Sequence, residues 1–166
     1  MINTTDSIYS QLIPLQYPKV GEQPSATKVG IVNMESKELI WIPIPGDQKE
    51  NYIPSIQWVN KDLLLLQQLN RKQNKLNVWS YQPSSEILKL VYEEEEKTWI
   101  DLKYPDISSN HWAGNDLPMV EENTAFLRLT EIDGWRHIYK VKISDGQKTL
   151  LTKGEYDVAS YCETSK

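Results

Sequence analysis

Residues 52–92 read YIPSIQWVNKDLLLLQQLNRKQNKLNVWSYQPSSEILKLVY, and they carry the strongest secondary-structure signal in the chain. Within this stretch Asn77, Trp79 and Tyr81 alternate with Leu76, Val78 and Ser80, which predicts a strand with two different faces. Asparagine-rich and Pro-Ser-Ser segments separate the alternating runs, as hairpin turns do. We therefore predict four antiparallel strands, at 52–58, 62–69, 75–81 and 86–92.

The rest of the chain shows the same alternation, and no window of helical length has a sustained apolar stripe at i, i+3 and i+4. Six Trp and nine Tyr accompany a single Phe, a usage that suits half-buried strand surfaces. Pro43 cannot donate to a sheet ladder, so we expect the strand at 38–44 to lie at a sheet edge. We expect an inserted loop at 103–122, which is rich in Pro, Gly, Ser, Asn and Asp. The further predicted strands are 28–34, 38–44, 98–101, 124–130, 136–143, 148–152 and 156–161.

An internal repeat indicates how these strands are arranged. A hairpin turn followed by a final strand occurs three times, and the turn-entry residues Met34, Tyr81 and Ile143 are 47 and 62 residues apart by subtraction. Four-stranded blades that repeat every roughly 40–50 residues are typical of β-propellers, although this periodicity alone leaves an antiparallel sandwich equally open. We predict an all-β partial propeller of about three blades. Its units are a blade remainder at 17–44, a full blade at 52–92, a full blade with an inserted loop at 98–152 and the start of a next blade at 156–161.

Charge and composition argue against several classes of partner. Eighteen basic residues against 23 acidic ones give a net charge of −5, so the broad positive field that attracts nucleic acid is missing. The longest aliphatic run, Leu63–Leu66, is far shorter than the about 20 residues that a membrane span needs. A signal peptide begins with a basic segment that is followed by an apolar one. The residues after Met1 do not have this pattern, so we expect no signal peptide. Cys162 is the single cysteine, which rules out an internal disulfide framework.

Neither a metal centre nor a carboxylate pair is indicated by residue spacing. His111, His137 and Cys162 could in principle join Asp116 or Glu121 around a metal, but the close paired spacing of a metal site is absent. We therefore predict no metal and no cofactor. The remaining acids are interpreted as solvated loop residues, because a glycosidase pair is defined by distance in space and a run of acids is usually exposed. These acids are Asp101, Asp106, Glu121, Glu122 and the run Glu93–Glu96.

Four ordered motifs resemble segments of the dipeptidyl peptidase IV-like proteins, in the prolyl oligopeptidase clan of serine peptidases. YPKVG at 17–21 with Pro24 resembles YPK-x-G-x-x-N-P, with Gln23 in place of Asn, and QLNRKQN at 68–74 resembles W-L-N-R-x-Q-N, with Gln68 in place of Trp. DGWRHIY at 133–139 and LTKGEYDV at 151–158 resemble the DG-W/F/Y-RH-x-Y and LT-x-G-x-W/Y-x-V pair. The signature residues are Tyr17, Pro18, Lys19, Gly21, Asn70, Arg71, Gln73, Asn74, Gly134, Trp135, Arg136, His137 and Gly154.

The resemblance implies a segment of the amino-terminal propeller, which in this family lies over a carboxy-terminal α/β-hydrolase domain. There a Ser, Asp and His triad releases a dipeptide with proline or alanine at its second position. The seven glycines here never form the G-x-S-x-G nucleophile elbow, so we expect no catalytic residue in this chain. The resemblance further implies a glutamate pair that holds the substrate's amino group. The only acid before Tyr17 is Asp6, so we expect that pair to lie upstream.

We therefore expect a non-catalytic propeller portion that forms walls of a substrate chamber. The implied partners are the missing blades, the hydrolase domain and the peptide substrates, with a homodimer of the full enzyme left open and a periplasmic or extracellular location. We interpret the signature residues as structural: Gly134 takes a positive φ, Trp135 packs across a blade boundary, and Arg136 and His137 tie loops together. Arg71 could instead clamp a carboxylate ligand. The alternatives for the whole chain are an independent β-sheet module that binds peptides or glycans, and a small standalone hydrolase.

Overall fold

The computed structural model describes residues 2–14, 18–102 and 117–159, and the regular structure of these residues is antiparallel sheet without any helix. Accordingly, no helix in the described ranges could cross a membrane. The strands are β1 (Ile2–Asn3), β2 (Gln11–Leu12), β3 (Gly30–Val32), β4 (Leu39–Trp41), β5 (Asn51–Asn60), β6 (Leu63–Asn70), β7 (Lys75–Gln82), β8 (Ile87–Glu95), β9 (Met119–Val120), β10 (Ala125–Thr130), β11 (His137–Lys142) and β12 (Lys148–Leu150).

Two four-stranded meanders form the body of the structure. The first has the strand order β5-β6-β7-β8, and the second has the order β9-β10-β11-β12, so each strand pairs with the next one along the chain. β3 and β4 form a two-stranded hairpin, and β1 pairs separately with β2. Consecutive antiparallel pairing of four strands is the connectivity of a propeller blade.

The middle sheet, β5 to β8, is covered on both faces. Leu64 and Leu66 of β6 belong to one buried cluster with Ile42, which follows the β3–β4 hairpin. Leu65, their neighbour on the opposite face, belongs to a second cluster with Phe126 of β10. The uninterrupted run of leucines in β6 is thus explained, because a strand covered on both sides needs no polar face. The three sheets pack one against the next in chain order, whereas a sandwich has only two layers. The fold is therefore a partial propeller.

The structure confirms most predicted strands and corrects others. β6 and β7 lie within one residue of the predictions at 62–69 and 75–81. The predicted strand at 98–101 is wrong, because Ile100 donates its amide to the Gln73 carbonyl (2.7 Å) in a turn contact outside any ladder. The first strand of the second meander is instead β9, which lies inside the range expected to be a loop, 103–122. Residues 156–159 form no strand, and 160–161 lie outside the described residues.

The prolines fall where a sheet tolerates them. β4 ends at Trp41, so Pro43 follows the strand, and both strands of a two-stranded sheet are edges, as predicted for this segment. Pro54 lies inside β5, which is the edge strand of its sheet. The pairing register shifts there, between Tyr52 and Ser55. A proline is compatible with a strand at an edge or a bulge, because no ladder hydrogen bond is lost.

Candidate functional site

The four sequence motifs come together at one end of the stacked sheets, which we call the signature rim. This rim comprises residues 18–23, 70–75, 94–101, 130–137 and 154–158. Direct contacts link its parts: Arg71 donates to the Glu22 carbonyl (3.5 Å), Ile100 to the Gln73 carbonyl, and Val158 to the Arg136 carbonyl (2.7 Å). The opposite rim is formed by the turns at 60–63, 82–87, 121–124 and 143–147. Tyr17 lies outside the described residues.

The β6–β7 turn is closed by its own asparagines. The Asn70 Oδ1 atom accepts the backbone amides of Asn74 and Lys75, both at 3.0 Å, and its Nδ2 donates to the Asn74 Oδ1 at 2.8 Å. Gln73 has a φ of +58°, in the left-handed region that tight turns use. Asn74 Nδ2 donates further to the Glu96 carbonyl (3.2 Å), so this turn also holds the chain that leaves β8.

Arg71 connects this turn to the first motif. Its Nη1 lies 3.1 Å from Glu50 Oε1, and its backbone amide donates to the Glu50 carbonyl (2.9 Å). The two side chains are 41% and 54% exposed, so the ion pair contributes little to stability. Pro18 and Lys19 are exposed, and Gly21 has a φ of +88° in the turn that Lys19 makes with Glu22. The carboxylate that Arg71 contacts therefore belongs to the chain itself.

His137 is buried at the start of β11 and faces a carboxylate. Its Nδ1 lies 2.8 Å from Asp133 Oδ2, and its ring packs edge-to-face on Tyr156 with centroids 5.7 Å apart. Burial opposes the ionisation of Asp133, but hydrogen bonds from His137 and Tyr139 outweigh it and lower the pKa of that carboxyl. Burial is the main cause of a raised pKa of the Tyr139 hydroxyl, and the nearby Asp133 carboxylate raises that pKa further. The His137 Nε2 is buried without a hydrogen-bond partner among the described residues.

The last two motifs form one structural unit. The Arg136 amide donates to Asp157 Oδ1 (2.8 Å), and the Val158 amide donates to the Arg136 carbonyl. A Cβ at Gly154 would lie 2.2 Å from the Tyr156 ring, so only glycine allows this approach without a shift of the ring. Gly134 has the expected positive φ, +93°. Trp135 is 41% exposed, and its packing across a blade boundary stays a prediction.

The prediction that Glu93–Glu96 form a solvated loop is wrong, because the first three acids lie in a strand and the second of them is buried. Glu93 to Glu95 belong to β8, and Glu94 is buried with Arg128, their side chains being 2% and 1% exposed. Arg128 Nε lies 2.9 Å from Glu94 Oε2, and Thr130 donates to Glu94 Oε1 at 2.6 Å. Burial and then the Glu94 carboxylate raise the pKa of Tyr92 well above its usual range, so its hydroxyl donates to Glu94 (3.0 Å).

Sequence reasoning missed this pair, although a signal for it exists. Arg128 stands between Phe126 and Thr130 on one face of β10, and Glu94 follows Tyr92 on one face of β8. Opposite charges at core-facing positions of two strands are typical of a buried ion pair, since an unpaired buried charge is costly. The partners are 34 residues apart in sequence, so their pairing depends on how the sheets stack.

Both rims contain cavities. On the signature rim, a cleft between Trp99, Asp101, Glu131 and Arg136 has a volume of about 20 Å³, enough for one water molecule. A second cavity, beside Asn70 and Lys75, has a volume of about 250 Å³. On the opposite rim, a groove that includes Lys142 has a volume of about 660 Å³, in the range of small-ligand sites.

The residues considered as metal ligands or as a carboxylate pair are not brought together within the described part of the chain. Within that part, no three His, Cys, Asp or Glu side chains come together as a metal site would require. His111, Asp116, Cys162 and Asp106 lie outside the described residues. Asp101 and Glu121 are engaged elsewhere, Asp101 near Arg136 (3.8 Å) and Glu121 with Lys140.

Comparisons with known proteins agree with this architecture. The family model of the dipeptidyl peptidase IV (DPP IV) N-terminal region matches residues 1–166. Dipeptidyl peptidase 4 of Trichophyton rubrum is 24% identical over 156 residues, covering 92% of this chain and 19% of the relative. The corresponding enzyme of Arthroderma otae is 23% identical over 156 residues, with the same coverage of 92% and 19%. The chain thus spans about a fifth of the length of these relatives.

A solved structure supports the same assignment. The crystal structure of Porphyromonas gingivalis dipeptidyl peptidase 4 superposes with a TM-score of 0.74 and 26% sequence identity, and the match covers 96% of this chain and 21% of that one. The stacked sheets are therefore shared with a solved peptidase structure rather than peculiar to this chain. The chain belongs to the dipeptidyl peptidase IV N-terminal region family.

Proposed function

We propose that this chain is a non-catalytic part of the propeller of a longer dipeptidyl peptidase IV-like serine exopeptidase, where it forms walls of the substrate chamber. The full enzyme would release X-Pro and X-Ala dipeptides from the amino termini of peptides. The observation that carries the proposal is the convergence of all four motifs on the signature rim. Trp99 and Trp135 are 70% and 41% exposed there, and Trp99 lines the same small cleft as Arg136. Such groups suit contact with a peptide.

The sheet of β3 and β4 supports the proposal that further blades belong to the functional protein. It has two strands where the neighbouring sheets have four, so each of its strands has an edge that pairs with no other strand of the described residues. Apolar side chains lie exposed on and beside it: Leu39 is 46% exposed, Trp41 56%, Ile56 48% and Trp58 51%. Exposed apolar patches and open strand edges are typical of surfaces that another part of a protein covers. We propose that further strands of the longer protein cover this face.

Peptidase assays with two proteins test the proposal. The full-length protein that contains this chain should hydrolyse Gly-Pro-p-nitroanilide, and the 166-residue chain alone should not, because catalysis requires the hydrolase domain. Cleavage by the chain alone, or an inactive full-length protein that is correctly folded, would contradict it.

The position of the signature rim in the chamber has a separate test. In the full-length protein, Trp99→Ala and Trp135→Ala should raise the KM for a longer peptide substrate more than the KM for Gly-Pro-p-nitroanilide. Ile87→Ala, a change of an exposed residue on the opposite rim, serves as the control and should alter neither value. Equal effects of all three changes would contradict a chamber-facing signature rim.

An independent binding module for peptides or glycans is the second candidate, and the exposed tryptophans favour it. Trp41, Trp58 and Trp99 are each more than half exposed, and aromatic faces bind peptides and sugars. A module of this kind would be a monomer that unfolds cooperatively, and it would bind a peptide or a sugar without any further domain. A propeller portion would instead self-associate through its open faces, which sedimentation of the purified chain distinguishes. Whether the full enzyme is a homodimer, and whether it is periplasmic or extracellular, stay predictions.

A further inference from the structure

We propose that the buried ion pair of Glu94 and Arg128 fixes the alignment of the two complete sheets and positions residues 97–102 on the signature rim. Glu94 lies in β8, the last strand of the middle sheet, and Arg128 lies in β10 of the next sheet. Their side chains meet at 2.9 Å, with almost no exposure to solvent. This role does not depend on the proposed peptidase function.

The carboxylate of Glu94 receives hydrogen bonds from both sheets. Thr130 and Arg128 donate from β10, and Tyr92 donates from β8 itself. The Tyr92 ring also packs edge-to-face on Phe126, with centroids 6.3 Å apart. A buried carboxylate with three donors is well satisfied, and the network is directional in a way that apolar packing is not.

Alignment, rather than stability, is what this network supplies. Removing two charges from water costs free energy, so a buried ion pair is often no more stabilising than an apolar pair of the same volume. A shift of β10 by one residue would turn Arg128 to the other face of its sheet, because side chains alternate along a strand. Glu94 would then be buried without its cationic partner. The pair therefore disfavours a packing of the two sheets in which β10 has slipped by one residue.

The same arginine holds the chain that crosses between the sheets. Arg128 Nη2 donates to the Asp101 carbonyl at 3.2 Å. On either side of that contact, Ile100 donates to the Gln73 carbonyl, and the Asp101 carboxylate lies 3.8 Å from Arg136 Nη2. Residues 97–102 form no strand, so these contacts take the place of a ladder. The exposed Trp99 therefore depends on Arg128 for its place on the rim.

Hydrogen–deuterium exchange and urea unfolding of the full-length protein that contains this chain test this role of the ion pair. Arg128→Met should lower the urea midpoint strongly, because it leaves Glu94 buried and unpaired. The double change Glu94→Leu with Arg128→Met should recover most of that midpoint. Exchange of the amides in 97–102 should nevertheless stay about tenfold faster than in the parent protein, because the contact with Asp101 is lost. Parent-like exchange in the double variant, or an unchanged midpoint in Arg128→Met, would overturn the proposal.

An isosteric variant keeps the test valid if the double variant does not fold. Glu94→Gln preserves the shape of the side chain and removes the charge that Arg128 faces. Its exchange in 97–102 should be faster than that of Glu93→Gln, a matched change at the preceding residue, whose carboxylate contacts Lys75 at the surface. Equal exchange in these two variants would overturn the proposal.

Discussion

Replacing two adjacent leucines of β6 tests whether the middle sheet is covered on both faces. Leu65 and Leu66 point to opposite faces of the sheet, and they are 1% and 0% exposed. Leu65 belongs to the cluster with the second meander, and Leu66 to the cluster with the β3–β4 hairpin. Truncation of a fully buried leucine to alanine costs about 2–5 kcal/mol, from lost burial and from the cavity that remains. We therefore expect Leu65→Ala and Leu66→Ala each to lower the free energy of unfolding by that amount.

Urea unfolding of the full-length protein that contains this chain, followed by hydrogen–deuterium exchange of the β6 amides, measures this loss. Leu12→Ala is the matched control, because Leu12 is 82% exposed in β2, and its replacement should change the free energy of unfolding by less than about 0.5 kcal/mol. If β6 had one solvated face, as in a two-layer sandwich, either Leu65→Ala or Leu66→Ala would change the free energy of unfolding as little as Leu12→Ala does. If Leu65→Ala or Leu66→Ala fell within the range of the control, the stacking of three sheets would be refuted.

Four further changes have expected outcomes. Gly146→Ala should destabilise the chain by about 1–3 kcal/mol or more, since residue 146 has a φ of +74° and a Cβ there would lie 2.3 Å from the Val91 carbonyl oxygen. Gly134→Ala, at φ +93° with open space around it, should cost less in the same urea titration, and a reversed order would contradict the close approach. Asn70→Ala should cost about 1–3 kcal/mol by urea unfolding, because two backbone amides lose their acceptor, and a loss below about 0.5 kcal/mol would show that water replaces it. The pKa of Asp133 is lowered from 3.8 in the folded state, so its contribution to stability is complete above that pH and is lost as the pH falls through the lower folded value. The urea midpoint should therefore fall less between pH 7 and pH 3 in Asp133→Asn than in the parent chain, and identical profiles would contradict this.

The strands that could be predicted from sequence are those whose signals are local. β7 alternates clearly between two faces, and the asparagines of the turn before it close that turn through their own side chains. β9 could not be predicted in the same way. It has two residues, Met119 and Val120, too few for a period to be visible. The residues at 98–101 gave a false strand signal, because Ile100 is buried and Trp99 is exposed although neither is in a ladder.

The candidate site was predictable in its parts and not in its assembly. The four motifs indicated the family and the turns, including the positive φ of Gly134. Their convergence on one rim depends on contacts between distant segments, such as Arg71 with Glu22 and Arg136 with Val158. The burial of Glu94 has the same origin, since its partner comes from another sheet. The sequence places Glu94 and Arg128 at core-facing positions of two strands, but it does not show that these two residues meet, because that depends on how the sheets stack.

Nuclear Overhauser contacts from the leucine methyl groups of β6 test the stack of three sheets most directly. The stack predicts two separate sets of neighbours. Leu64 and Leu66 should show contacts toward Val29 and Ile42, and Leu65 should show contacts toward the second meander. Contacts from both sets of leucines to the same sheet, or one set that contacts no other sheet, would contradict the partial propeller.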